Sequence, residues 1–458
     1  MQTHQHPSVL SRRQWLNSAS VGFSLVALTG LLAERTARAN PTPTRNPLAP
    51  KSPSGPAPAK RLIFIHMNGA MSQHDTFEYK PQLQADDGRP GPGGGKLVGS
   101  KFKFQQYGDT GTWFSELLPN LAQHADRLCW LRGLHTDTPA HPQAVVQLHT
   151  GSANAALTRP SLGAWLLYGL GSENEDLPGY ITINPPSNHG GAVNYGSAFL
   201  PAHFQGTRID DQGNLPNLQA ALPHDLQRQQ LELIQAFNRE YADRPGAPDA
   251  APGIIQSFEL GFRMQQRVPA LLDYARETLD IHALYGIQDG QAGRFARQCL
   301  IARRLVEAGV RFVEICQPGW DHHNNLHKGL LDRCASIDRP VAALIRDLAQ
   351  RGLLEDTLVL FGSEFGRQPM AQGEDGRDHN ITGYTMFLAG AGVKPGYSYG
   401  ATDEYGLRAI EGRAHTSDLH ATLLALLGLD HELLTFPYAG RDFRLTDVRG
   451  RVIREIFT

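Results

Sequence analysis

Three short stretches of this chain set acids beside imidazoles. Asp321 and His323 stand two residues apart in Gly319-Trp320-Asp321-His322-His323, Glu364 lies in Ser363-Glu364-Phe365-Gly366-Arg367, and Asp378 and His379 are adjacent in Gly376-Arg377-Asp378-His379-Asn380. Carboxylate oxygens and imidazole nitrogens are the donors that zinc and manganese take, and calcium is also compatible with a set rich in acids. The residues suffice for one or two divalent ions. Two ions about 4 Å apart would clamp the attacking and leaving oxygens of a displacement at phosphorus or sulfur. Taken singly, each residue could be an ordinary loop group making hydrogen bonds. Their recurrence after strand-like runs is what argues for a site.

Those runs are Arg61 to Met67 (RLIFIHM), Arg311 to Cys316 (RFVEIC) and Thr357 to Phe361 (TLVLF), while a fourth, Tyr384 to Ala389, comes just after Asn380. Short apolar runs rich in β-formers and followed by polar loops read as buried strands. A helix-period segment, 291 to 308, precedes the second run. Strands alternating with helices predict an α/β fold with a mostly parallel central sheet and helices on both faces. Ligands in such sheets bind outside the carboxyl ends of the strands. Residues 207 to 290 read as helices with polar faces, an insertion or lid.

Two further histidine stretches are ambiguous. His415-Thr416-Ser417-Asp418 opens an apolar helix ending at Gly428, so these residues can be a cap or can reach the site. His135 to His141 precedes a helical segment ending at Gly151, and its start could meet an anion at the helix N-terminus or simply cap it. Other motifs fail. Gly91-Pro92-Gly93-Gly94-Gly95-Lys96 lacks both the first glycine and the Ser or Thr of a phosphate loop, and there is no G-x-S-x-G elbow or H-E-x-x-H helix.

Composition bounds the rest. The 458 residues are 41% hydrophobic and 19% charged, the profile of a globular protein, and 43 Lys plus Arg against 45 Asp plus Glu leave a net charge of -2. That balance offers no electrostatic case for nucleic acid or an anionic membrane. The 4 cysteines form no C-x-x-C pair, so neither a disulfide scaffold nor a thiolate zinc cluster is expected, whereas 19 histidines point to metal or acid/base chemistry.

Ser11-Arg12-Arg13-Gln14-Trp15-Leu16, an apolar run from about Val21 to Ala33 and Ala37-Arg38-Ala39 look like a twin-arginine leader over residues 1–39. The run falls short of the roughly 20 apolar residues of a membrane span, so cleavage would leave no stable span; an uncleaved anchor is the other reading. The leader implies export to the periplasm or beyond. Residues 40–60, rich in Pro and Ser, read as a flexible tether, and the globular part, 61–458, follows.

The segments GAMSQHDTFEYKP, RPSLGAWLLYGLGSENEDLPGY, RQCLIARRLVEAGVRFVEI, GWDHH, SEFGRQP, GRDHN, LAGAGVKPG and SDLHATLLALLGLDHELLTFPYAGRDFRLTD together resemble the domain of unknown function 1501 family. That group of exported bacterial proteins lies within the alkaline phosphatase and sulfatase superfamily, and the resemblance covers essentially everything from residue 61 onward. It implies an alkaline-phosphatase-like α/β core. Asp321 and His323 resemble one metal-ligand pair of catalytic superfamily members, and His379 resembles the late histidine ligand. Glu364 falls where Asp followed by His is common, but Phe365 comes next, so one ligand is changed and one lost, with Asp378 a candidate replacement. The first strand ends in His66-Met67-Asn68-Gly69 rather than in an immediate Asp, which leaves Asp75 as a further candidate ligand. His141 occupies the position of the usual Ser, Thr or Cys nucleophile.

Two functions follow from these residues. The first is an exported metal-dependent hydrolase of phosphate or sulfate esters, with Asp321, His323, Glu364, Asp378, His379 and Asp75 as metal ligands. In it His141 is nucleophile or general acid/base, Arg367 or Arg377 grips the anionic ester substrate, or else the metal activates water directly. The second is a binding or assembly protein that keeps the fold without the chemistry and meets an exported protein or an envelope glycan through the helical insertion.

Overall fold

The computed structural model describes residues 46–458 apart from 93, 155–156, 217, 221, 243, 245–250 and 289–292. The leader and the first residues of the tether lie outside the described residues. A nine-stranded sheet organises the chain. Its strands are β1 (Arg61–Asn68), β2 (Leu128–His135), β3 (Tyr180–Ile183), β4 (Thr207–Ile209), β5 (Phe312–Pro318), β6 (Thr357–Gly362), β7 (Tyr384–Gly390), β8 (Ser398–Tyr399) and β9 (Ala414–His415). The order across the sheet is β8-β2-β7-β6-β1-β5-β3-β4, with β9 beside β2.

The run RLIFIHM is apolar without alternation because β1 is paired in parallel on both edges, with β5 and with β6, and is covered on both faces. Its side chains alternate between two cores. Ile63, Ile65 and Met67 join one cluster, completed by helices α5 (Gly293–Glu307) and α6 (Leu326–Gln350). Leu62 and Phe64 join the other, completed by α2 (Leu162–Leu170) and α7 (Thr416–Leu426). The fold is α/β with a mostly parallel sheet.

One strand runs against the rest: β7 is antiparallel to both β6 and β2. Its beginning therefore lies at the edge where β1, β5 and β6 end. A hairpin, Gly366–Gln372 paired with Gly376–Asn380, fills the interval between β6 and β7. Residues after β5, after β6 and before β7 thus gather at one edge, and α1 (His141–Thr150), which follows β2, starts there too.

The segment 207–290 begins with a strand rather than a helix, since Thr207–Ile209 pairs with β3 at the edge of the sheet. Three residues are too few to register as a periodic pattern. Helices α3 (His224–Ala242) and α4 (Ala251–Leu272) follow. Arg304 of α5 donates to the carbonyls of Ala270 and Leu271 at 2.8 Å each, which docks α4 beside α5. The four cysteines are buried and free. Among the described residues no helix is long and apolar enough to cross a membrane.

Candidate metal centre

Asp321 lies in the loop that leaves β5, and its Oδ1 is a point of convergence. Nε2 of His323 lies at 2.9 Å, Nε2 of His141 at 3.1 Å and Nε2 of His379 at 3.3 Å. The four side chains offer ligand atoms all within 4.8 Å of one another. They arrive from separate elements: the first residue of α1, the loop after β5 and the second strand of the hairpin.

The other nitrogen of each ring is committed. His141 Nδ1 donates to Glu364 Oε1 at 2.6 Å, His379 Nδ1 to the Pro139 carbonyl at 2.6 Å, and His323 Nδ1 to Gln372 Oε1. A histidine whose Nδ1–H is held by an oxygen presents the Nε2 lone pair, which is how imidazoles are oriented toward metals. Without metal, Arg367, 2.6 Å from the Asp321 oxygen, and the imidazole protons supply the positive charge there, and a divalent ion would take the place of those protons. His141 Nε2 is buried and stands 3.1 Å from the Asp321 oxygen, close enough to share one ion with it. Three imidazoles and a carboxylate are a donor set that fits a zinc- or manganese-type ion.

Burial grades across the cluster. The His141 side chain is 7% exposed, His379 16%, His323 31% and Asp321 41%, so the point of convergence is walled on the His141 side and open to solvent at Asp321. Phe365 supplies the wall: its ring centroid lies 4.7 Å from those of both His141 and His379.

The model of one family, "Protein of unknown function (DUF1501)", matches residues 59–457. The chain belongs to the DUF1501 family. No curated protein matches it. Among solved structures, this DUF1501 chain is similar to the lipoteichoic acid synthase LtaP from Listeria monocytogenes, at 10% identity and TM-score 0.40, over 92% of this chain and 80% of that one. It is similar to the PsFucS1 sulfatase from Pseudoalteromonas sp., at 16% identity and TM-score 0.39, over 82% and 69%. The C-terminal periplasmic domain of EcEptC from Escherichia coli, in complex with Zn, is similar at 10% identity and TM-score 0.36, over 84% and 87%.

The remaining acids that the DUF1501 sequence singles out stand apart from the Asp321 oxygen. Glu364 is fully buried and bridges His141 Nδ1, His66 Nε2 at 3.1 Å and the Gly69 N–H at 3.0 Å, so it acts on the centre through His141. Asp75 is buried against Arg377, 2.8 Å from Nε, and also accepts from Ser72 Oγ at 2.6 Å. Asp378 is exposed and accepts from the backbone N–H of His379 at 2.8 Å. Asp378 sits at the irregularity of the hairpin register between Arg377 and His379, a local feature that the resemblance does not carry.

Neither arginine is free to grip an anion. Arg367 is fully buried and spends its guanidinium on the carbonyls of Gly69, Ala70, Trp320 and Arg377 and on Asp321 Oδ1 at 2.6 Å. Arg377 is fully buried too, held by Asp75 and by the carbonyls of Gln368 and Pro369. Both tie the strand-end loops together. His415 caps α7, accepting from the Ser417 N–H, and pairs with Asp137 at 3.2 Å rather than with the cluster.

Several participants carried no readable signal. His66 lies inside an apolar strand, His149 inside α1, and His189 in the loop after β3, where its ring stacks on that of His141 with centroids 5.2 Å apart. His189 Nδ1 donates to Asn68 Oδ1 at 3.2 Å. The polar intrusion of His66 into RLIFIHM was the available clue.

The electrostatics follow from these contacts. Burial lowers the His141 pKa, but Asp321 and Glu364 outweigh it and raise the ring to about 9. Burial pushes the Asp321 carboxyl up, yet bonds from His141, His379 and Arg367 hold it far below the usual carboxylate range. Glu364 is held low in the same way by His141 and His66, against its burial.

Proposed function

We propose that this protein is an exported, divalent-metal-dependent hydrolase of phosphate or sulfate esters. The observation that carries the reading is the convergence of three imidazole Nε2 atoms, each with its Nδ1–H tied off, on one Asp321 oxygen that opens to solvent. A closed shell would suit a structural ion, whereas an open side leaves room for water and substrate. A divalent ion held there supplies Lewis acidity, acidifying water and polarising an ester oxygen.

In this reading Asp321, His141, His323 and His379 are the ligands. His141 points Nε2 at the Asp321 oxygen with the other two imidazoles, so with a metal bound it would give up its Nε2 proton and serve as a ligand, and not as the nucleophile or general acid that its position suggested. Water is then the attacking group. Glu364, Gln372 and the Pro139 carbonyl orient the rings, and Arg367 holds Asp321 in place. The Arg12-Arg13 segment supports twin-arginine export to the periplasm.

The test is hydrolysis of p-nitrophenyl phosphate, bis(p-nitrophenyl) phosphate and p-nitrophenyl sulfate by zinc- or manganese-loaded protein, beside Asp321→Ala and His379→Ala. Turnover of at least one ester class, lost in both variants at unchanged melting temperature, is expected. Bound metal without turnover of any of the three would leave the binding or assembly protein as the reading.

A further inference from the structure

At the edge of the sheet opposite the metal centre lies a groove of about 910 Å³. Its position follows from the strand directions. β2 runs parallel to β6 and β1, since β2 and β6 are both antiparallel to β7. Arg127 immediately precedes β2, so it stands a strand's length, roughly 25 Å, from the edge where the metal ligands gather. α6 starts at Leu326, just beyond the Asp321 loop, and its 25 residues carry Arg346 and Gln350 to the far edge. The short helix Leu279–Tyr285 adds Ile281 and Leu284 to the lining.

Arg127, Arg339, Arg346 and His124 line this groove against a single acid, Asp280. Arg339 is committed, because its guanidinium donates to the carbonyls of Ala283 and Leu284 at the C-terminal end of the short helix. Arg127 and Arg346 are exposed, and the side chain of neither makes an ion pair or hydrogen bond with a described residue. The acids next to them in sequence are engaged elsewhere. Asp126 accepts from the backbone N–H groups of Asp109 and Thr110, and Asp347 pairs with Arg303 and Arg351. His124 is half-buried, and burial first, then Arg127 and Arg346, hold its ring below the ordinary histidine value. Both guanidinium groups are therefore within electrostatic reach of one neutral imidazole, and an anion among them relieves their mutual repulsion.

The lining is not charged throughout. Ile281, Leu284 and Ala342 give an apolar stretch that a bare inorganic ion does not fill. A groove of this size matches sites for organic molecules, about 300 to 1,000 Å³. Arginine forks match the oxygens of phosphate and sulfate groups.

We infer that this groove binds an organic phosphate or sulfate, with Arg127 and Arg346 taking the anionic group and Ile281, Leu284 and Ala342 its organic body. The site lies beyond the hydrolytic reading and uses none of the four ligands named there, so a ligand in it is held and not cleaved.

The probe is phenylphosphonate, whose carbon–phosphorus bond resists hydrolysis, titrated calorimetrically into the wild-type protein at low salt. Binding is expected to weaken by about tenfold or more in Arg127→Ala/Arg346→Ala, to persist in Asp321→Ala/His323→Ala and to fade as salt is raised. Both arginines are exposed and unpaired, so their removal leaves folding intact. No binding in wild type, or binding unchanged in Arg127→Ala/Arg346→Ala, overturns the inference. So does binding that vanishes in Asp321→Ala/His323→Ala, which puts the probe at the open centre. Inorganic phosphate is expected to bind more weakly than phenylphosphonate, and equal affinity overturns the assignment of an organic ligand. Failure of the hydrolytic reading shows separately, as a protein that holds phenylphosphonate through Arg127 and Arg346 but turns over none of the three esters.

Discussion

Arg367 Nη2 lies 2.6 Å from Asp321 Oδ1, the same oxygen that three imidazoles approach. One arginine therefore fixes the carboxylate at the centre of the cluster while its other donors hold the carbonyls of the β1 and β5 loops. Lysine keeps the charge but cannot reproduce that fork. Arg367→Lys is expected to destabilise the fold by about 1 to 3 kcal/mol, the cost of leaving buried carbonyl acceptors unpaired, and to weaken zinc binding. Denaturant unfolding and a competitive zinc titration check both.

Glu364 reaches the cluster through His141, so Glu364→Gln keeps an acceptor for His141 Nδ1 while removing the charge. Weakening the acceptor behind a metal-binding imidazole costs about 10- to 100-fold in metal affinity. Zinc should still bind, more weakly by that factor. Stoichiometric loss of an equivalent would instead make Glu364 a ligand.

Asp75 and Arg377 give a contrasting case. Asp75→Asn breaks a buried pair and is expected to cost about 3 to 5 kcal/mol of stability, with the open centre's metal content unchanged in the folded fraction. A melt and a metal assay on one sample separate the two effects.

Gly69 has φ +111°, and a Cβ there would stand 2.7 Å from the Asp321 backbone nitrogen. Its own N–H donates to Glu364. Gly69→Ala is strained on both counts and is expected to cost about 2 kcal/mol or more. Unfolding midpoints test this, and a change below about 0.5 kcal/mol, the range of neutral surface substitutions, would contradict it.

Acid should weaken the fold through buried neutral histidines. His74 and His420 are both lowered to about 4, in each case chiefly by burial. Their unfolded forms bind protons near pH 6.5, so between pH 6.5 and 4 the unfolded chain binds more protons than the folded one. The stabilisation is complete above about pH 6.5 and is lost as pH falls toward 4, with a slope of up to about 1.4 kcal/mol per pH unit for each ring. His420→Gln should flatten the pH dependence of the melting temperature over that window.

The sequence by itself determined the α/β class, the family and the stretches that gather at the sheet edge. Short continuous runs of β-formers such as RLIFIHM read as strands buried on both faces, and polar loops after parallel strands emerge at one edge. What it could not rank was the acids. Asp75, Glu364, Asp378 and Asp321 look alike in a string, yet one pairs with Arg377, one props His141, one faces solvent and one meets three imidazoles. The antiparallel direction of β7 decided that His379, which precedes a strand, joins residues that follow strands. The packing of α1 on the sheet decided that His141 and His149 face inward. Which oxygen a lone pair faces depends on distances of an ångström between elements far apart in sequence, and such distances exist only once the chain has packed.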